Sequence, residues 1–169
     1  MRGLILSIVF VLASSAAVFG QKYGYVDSEY ILSNIPDYKQ AQSQLDNMSA
    51  QWQGEIESLF SESDALQVAL NAEKILLTEE MVSEREKIIE EKKTEARSLQ
   101  QTYFGPEGEL FKKRLELIKP IQDQIYNAIQ SVAKQKKYDI VFDKASELMM
   151  LYTNPRADLS DEVLESLGY

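Results

Sequence analysis

Apolar positions change period along the chain. Residues 22–27 (KYGYVD) alternate like a strand, with Tyr23 and Tyr25 on one face and Gly24 and Val26 on the other. Asp27 or Ser28 can cap a short helix over Glu29–Ile35, which Pro36 closes because a residue before proline avoids the helical region. From Asp37 to about Leu77 the period becomes helical. Tyr38, Leu45, Trp52, Leu59 and Leu66 recur every seven residues, with Ala41, Met48 and Ala69 three later, a seam for a partner helix. The same register places Glu55 and Glu62 at seam positions, while Ile56 and Leu70 sit one place on. The stripe is therefore wide, and Ile56, Phe60, Val68, Ile75, Leu76 and Leu77 are expected to face out of it.

Thr78 is a good N-cap, and Glu79 and Glu80 suit the first turn of a helix dipole. The spacing predicts a reversal near 71–80 and a second arm to Lys137, whose last part repeats Ile118, Ile121, Ile125, Ala128 and Val132. After Lys137 the period returns to that of a strand. YDIVFD (138–143) is β-branched and aromatic, KASE (144–147) can turn, and LMMLY (148–152) can return as the second strand of a hairpin. Ser160 can cap a last short helix to Leu167, with Gly168 as its stop.

The fold class is thus α+β, mostly α: a long antiparallel helical hairpin (37–137) on a small β body built from 21–36 and 138–169. Three short strands cannot bury both faces alone. They need partners from other copies, and a sheet closed across subunits also removes exposed edges. The residues expected to pool in this way are Tyr23, Tyr25, Val26, Ile140, Val141, Phe142, Leu148, Met149 and Leu151.

Composition narrows the chemistry. Residues 1–20 carry Arg2, an apolar run from Leu4 to Val18 and small residues before Gln21, the pattern of a cleavable signal peptide. The run is short of the roughly 20 residues that a membrane span needs. The chain holds 18 basic and 27 acidic residues, net −9, and loss of Arg2 makes it more negative. That argues against nucleic acid as a partner. With no Cys and no His, thiolate catalysis, disulfides and the commonest metal ligand are excluded. The acidic pairs converge on no shared site, so no catalysis, cofactor or metal is expected. EREKIIEEKKTE (84–95) reads as a solvated helix face in which Lys87 and Glu91 can pair.

The order of elements resembles the Skp/OmpH family of periplasmic chaperones, through YGYVDSEYIL (23–32), IQDQIYNAIQSVAKQKKYDIVFD (121–143) and ADLSDEVLESLG (157–168). The resemblance implies a homotrimer whose strands form a shared β-barrel and whose three hairpins hang as tentacles around a cavity. It implies ATP-independent holding of unfolded outer-membrane β-barrel proteins in the periplasm. The alternative is a coiled-coil scaffold or adaptor of the envelope. On the first reading, the outward residues Ile56, Phe60, Val68, Ile75, Leu76 and Leu77 are candidate client contacts. The best-known members are basic and this chain is acidic, which argues against lipopolysaccharide or a membrane surface as a further partner. Positive charge gathers only at Lys112, Lys113, Arg114, Lys134, Lys136 and Lys137.

One interruption remains. QTYFGPEGELFKKR (101–114) sets Gly105, Pro106 and Gly108 inside a helical pattern. Folding the hairpin about Thr78 puts Gly105, 27 residues after it, across from Gly54, 24 before it, and Pro120 across from Pro36. Kinks are expected at such places. Gly54, Gly105, Pro106 and Gly108 are therefore hinge candidates, with Trp52, Tyr103 and Phe104 near the joint, where they contact a client or wedge the arms. The segment is a flexible elbow, a static kink or a separate binding loop.

Overall fold

The computed structural model describes residues 21–146 and 149–169. The expected signal peptide and Leu148 lie outside them. The chain forms two compact units, one of residues up to Asn34 together with Ile125–Tyr169, the other Ile35–Gln124.

In the first unit, β1 (Tyr23–Val26) pairs in parallel with β2 (Ile140–Asp143), Tyr23 opposite Ile140 and Val26 opposite Asp143. Parallel neighbours cannot be joined by a tight turn, and here everything from Asp27 to Asp139 lies between them. Gly24 is required by close packing. A Cβ there would lie 2.8 Å from the Tyr138 ring, which also carries Lys22 Nζ 3.9 Å from its centroid. The other edge of β1 is partly used, since Leu159 N–H donates to the Tyr25 carbonyl at 2.9 Å.

Helix α1 (Ser28–Asn34) is capped by Asp27, whose Oδ1 accepts from Tyr30 N–H at 3.0 Å. That bond first, and then Lys144 Nζ at 3.0 Å, holds the Asp27 carboxyl below the usual carboxylate range. The Asp143 carboxylate at the end of β2 accepts from both Ser28 N–H (3.1 Å) and Ser28 O–H (2.6 Å), which ties sheet to helix. A short helix, Ser160–Leu167, packs on α1 and buries Leu159, Val163 and Leu164 near Ile31. Ser160 does not cap it: its O–H donates to Asp158, and its Oγ accepts from Asp27 N–H at 2.9 Å. Gly168 ends that helix at φ 91, with Tyr169 N–H donating to Leu164 O at 3.0 Å, the left-handed cap for which glycine has no steric penalty.

Two expectations change. Met149–Tyr152 form no strand. Met149, Leu151 and Tyr152 are exposed, so the described residues offer the expected return strand no surface that buries them. Tyr25 and Val26, expected at a subunit interface, are buried inside one chain and have little surface left to offer. Leu159 pairs with the Tyr25 backbone at the edge of β1 and lies 3.1 Å from the Cβ position of Gly24, on the face opposite Tyr25.

The second unit is a helical hairpin. Helix α2 (Pro36–Glu73) starts with proline at a position that needs no donor and runs unbroken through Gly54. A 3₁₀ turn (Lys74–Leu76) reverses the chain, and Thr78 caps α3 (Glu79–Phe104) by accepting from Met81 N–H. The arms pack on one another, in a register marked by Trp52 against Tyr103, Glu62 with Lys92 and Glu73 with Arg85. Helix α4 (Glu109–Gln135) begins in this unit, carries Pro120 in its interior, and buries Ile118, Ile121, Ile125, Ala128 and Val132.

The seam corrects the heptad reading. On α3 the covered positions keep a period of seven: Val82, Ile89, Ala96 and Tyr103. On α2 they recur every eleven: Leu45 and Ile56, Trp52 and Ser63, Leu59 and Leu70. Four extra residues inserted into a heptad give this 3.67-residue period, which stays closer to a straight helix axis than 3.5 does. Hence Ile56, expected to face outward, is a seam residue only 3% exposed, while Glu55 and Glu62 are turned out and Leu66 lies at the edge of the seam. Ser63 and Ala96, fully buried and small, let the backbones approach. The Ser63 hydroxyl is satisfied by donating to Phe60 O at 2.7 Å.

The last short helix is hereafter α5 (Ser160–Leu167).

Candidate functional site

Three surfaces carry the candidate residues. The first is the joint between α3 and α4. Gly105 N–H closes on Gln101 O at 2.9 Å and Gly108 N–H on Gly105 O at 2.9 Å, with Pro106 between them. Both glycines are needed by close backbone approach. A Cβ on Gly105 would lie 2.3 Å from Gln101 O, and one on Gly108 2.7 Å from Tyr103 O. Gly54 is different: nothing lies within 4 Å of its Cβ position. Trp52 stacks on Tyr103 (4.7 Å between centroids, 7° between planes), and Phe104 meets Trp52 edge-on at 6.4 Å. Tyr103 O–H donates to Glu55 Oε2 at 3.1 Å, which pushes the Tyr103 phenol above its usual range. The three aromatics thus bridge the arms at the level of Gly54, half-buried. Their faces are largely spent on one another.

The second surface is the tip. Ile75 is 95% exposed and Leu76 86%. They are not on a loose loop. Leu77 N–H donates to Lys74 O at 3.4 Å, Lys74 pairs with Glu86 at 3.2 Å, and Arg85 pairs with Glu73 at 2.5 Å. Leu77 is half-buried, Phe60 likewise, and Val68 is exposed on the outer side of α2. One apolar groove was not visible in the pattern. Leu66, Ala69, Arg85, Ile88 and Ile89 enclose a cavity of about 240 Å³ between the arms. The heptad assigned Leu66 to the seam; the misfit of Glu62, one turn earlier, was the signal that could have moved it.

The third surface is the apolar face of the β body. Tyr23, Ile140 and Phe142 are exposed on one side of the sheet, with Tyr23 and Phe142 stacked at 6.5 Å. Val141 is half-buried. Among the described residues, β2 has β1 as its one strand neighbour, and the exposed Met149–Tyr152 segment follows it.

Charge is spent locally. Of the basic cluster, Lys112 pairs with Glu109, Lys113 with Glu116 and Lys136 with Glu162. The Lys112 ion pair lowers the Glu109 carboxyl, and Glu116 raises Lys113. Three of the six cations read along the chain are therefore paired with a carboxylate. Among the described residues, no three His, Cys, Asp or Glu side chains are grouped to hold a metal, and no helix is long and apolar enough to cross a membrane.

The comparisons agree with this architecture. A family model described as outer membrane protein (OmpH-like) matches residues 22–167. An uncharacterized protein of Aquifex aeolicus (strain VF5) is 27% identical over 168 residues, 99% of each chain. A crystal structure from Caulobacter crescentus CB15, described as an OmpH-like outer membrane chaperone, superposes with a TM-score of 0.68 over 88% of this chain and 84% of its own, at 17% identity.

Proposed function

The chain belongs to the family of OmpH-like outer membrane proteins, and from that premise we propose that it is a periplasmic, ATP-independent holdase for unfolded outer-membrane β-barrel proteins. It works as a homotrimer. Each chain contributes β1 and β2 to a shared barrel, with Met149–Tyr152 as the strand that a neighbour orders. The hairpins of the three chains surround the client.

The observation that carries this reading is the tip. Ile75 and Leu76 are the most exposed aliphatic pair of the hairpin, yet they lie in a hydrogen-bonded 3₁₀ turn flanked by two surface ion pairs. A chain that exposes apolar groups on a fixed frame presents them. Weak, non-directional contacts of this kind hold many sequences and release them without fuel. Val68, the Leu66–Ile88 groove and Leu77 extend the contact surface down the arms. The aromatic joint has a positioning role: it fixes the angle at Gly105–Gly108 and contributes little free surface. Hydrogen exchange at 103–108 as protected as in the flanking helices supports a fixed kink there; faster exchange supports an elbow.

The test is aggregation of an unfolded β-barrel protein, followed by light scattering without nucleotide. Stoichiometric suppression by the full mature protein supports the holdase. No suppression by a well-folded trimer favours an envelope scaffold instead.

A further inference from the structure

We propose that the hairpin tip selects polypeptide stretches in which apolar residues are flanked by Lys or Arg. The inference rests on the holdase reading and names the sequence class that the tip contacts.

The tip is an apolar apex with an acidic rim. Its two cations are occupied, Lys74 by Glu86 and Arg85 by Glu73. Among the described residues, Glu79, Glu80 and Glu84 make no ion pair. Lys87, three residues beyond Glu84, is turned to Glu91 at 3.7 Å. Glu79 and Glu80 lie in the first turn of α3, where they also favour the helix dipole. That role does not extend to Glu84, a turn further on. Glu80 and Glu84 are instead a like-charge pair four apart, an arrangement that costs a helix a few tenths of a kcal/mol rather than stabilising it. Here a local rule is broken with no gain inside the chain, in the first two turns behind Ile75 and Leu76, and a cation brought by a partner removes the cost. Charge complementarity thus fixes the occupant. An acidic rim repels an anionic lipid surface and an acidic peptide, and attracts a basic-flanked apolar one. Arg85 and Lys74 do not reverse this, because residues 73–86 hold five Glu against these two cations.

The experiment uses the full mature protein and two labelled peptides with one apolar core, flanked on both sides by lysine or by glutamate. Fluorescence anisotropy is read at low and at physiological salt, beside vesicles of anionic and of zwitterionic phospholipid. The expected result is that the lysine-flanked peptide binds about tenfold more tightly at low salt, with the preference shrinking as salt rises, as exposed charges do. Glu79→Gln with Glu80→Gln and Glu84→Gln should abolish the preference and leave the helical content unchanged. Ile75→Ser with Leu76→Ser should weaken both peptides. Equal binding of the two peptides, a preference that survives the three glutamine substitutions, or binding to anionic vesicles through Ile75 and Leu76 overturns the proposal. Aggregation suppression measured on the same samples separates the two claims. Suppression without peptide preference removes the tip selectivity alone, whereas a lysine preference in a protein that suppresses nothing removes the holdase.

Discussion

The tip and the segment after β2 both expose large apolar side chains, and they do so in opposite ways. At the tip, Ile75 and Leu76 project from a 3₁₀ turn flanked by a Thr78 cap and two ion pairs. Past β2, Met149, Leu151 and Tyr152 are about as exposed, Leu151 at 92%, but they follow a two-stranded sheet and belong to no regular element. Exposure alone does not say what a surface is for. Where the backbone is satisfied, the exposed group is displayed and its loss should cost the protein little stability. Where the exposed group belongs to no regular element, as at 149–152, the proposed trimer uses it as a part awaiting completion, and its loss should cost that assembly.

The sharpest way to break that distinction is to charge both places. On the proposed homotrimer, Met149→Asp with Leu151→Asp should remove apolar surface used between copies, and light scattering should fall from the mass of three chains to that of one. Ile75→Asp with Leu76→Asp should leave both the mass and the thermal midpoint in place. A tip variant that dissociates, or a 149/151 variant that stays assembled, would reverse the assignment of the two surfaces.

A second comparison lies within α2. Ile56, expected to face outward, is in the seam; Val68, expected to do the same, is outside it. Ile56→Ala should therefore cost about 2–5 kcal/mol in chemical denaturation, and Val68→Ala no more than about 0.5 kcal/mol. Similar costs at the two sites would mean that Val68 is covered in the assembly.

These residues also show what was legible. The helical hairpin, the Thr78 cap, the β1 and β2 strands and the Gly168 stop all follow from local chemistry, and local chemistry is what a sequence carries most directly. The register beyond Trp52 does not. Leu45 and Trp52 fit both a seven- and an eleven-residue repeat, and the choice between Glu55 and Ile56 is made by the facing arm. The parallel pairing of β1 with β2 is non-local and leaves no turn signature. The return strand at 148–152 had the right composition, but strand composition does not supply a neighbour. The exposure of Ile75 and Leu76 was readable because nothing among the described residues covers them. The Leu66–Ile88 groove was not, because it exists only once two arms meet.

The two glycines at the joint carry the distinction to backbone scale. Gly105→Ala forces a Cβ against the Gln101 carbonyl, which cannot move without opening the last turn of α3, so it should cost about 1–3 kcal/mol as overpacked sites do. Gly54→Ala meets open space inside a continuous helix and should stabilise the arm by up to about 1 kcal/mol. An equal gain at both positions would show that the 105–108 turn is not held closed in solution.

The smallest expected effect is also the most local test of that closure. The Tyr103 phenol donates to the Glu55 carboxylate across the arms, and this hydrogen bond, followed by burial and the charge of Glu55, raises its pKa. A raised folded-state pKa means that the contribution to stability is fully present below the usual phenol value of about 10 and is lost as pH rises through the higher folded value, because a phenolate beside a carboxylate repels it. Absorbance titration of the wild type minus Tyr103→Phe should isolate one phenol that ionises above that usual value, and Glu55→Gln should bring it back down. A difference curve centred on the ordinary phenol range would mean that the arms are not bridged at Trp52 and Tyr103, and the joint would then belong with the incomplete surfaces rather than with the satisfied ones.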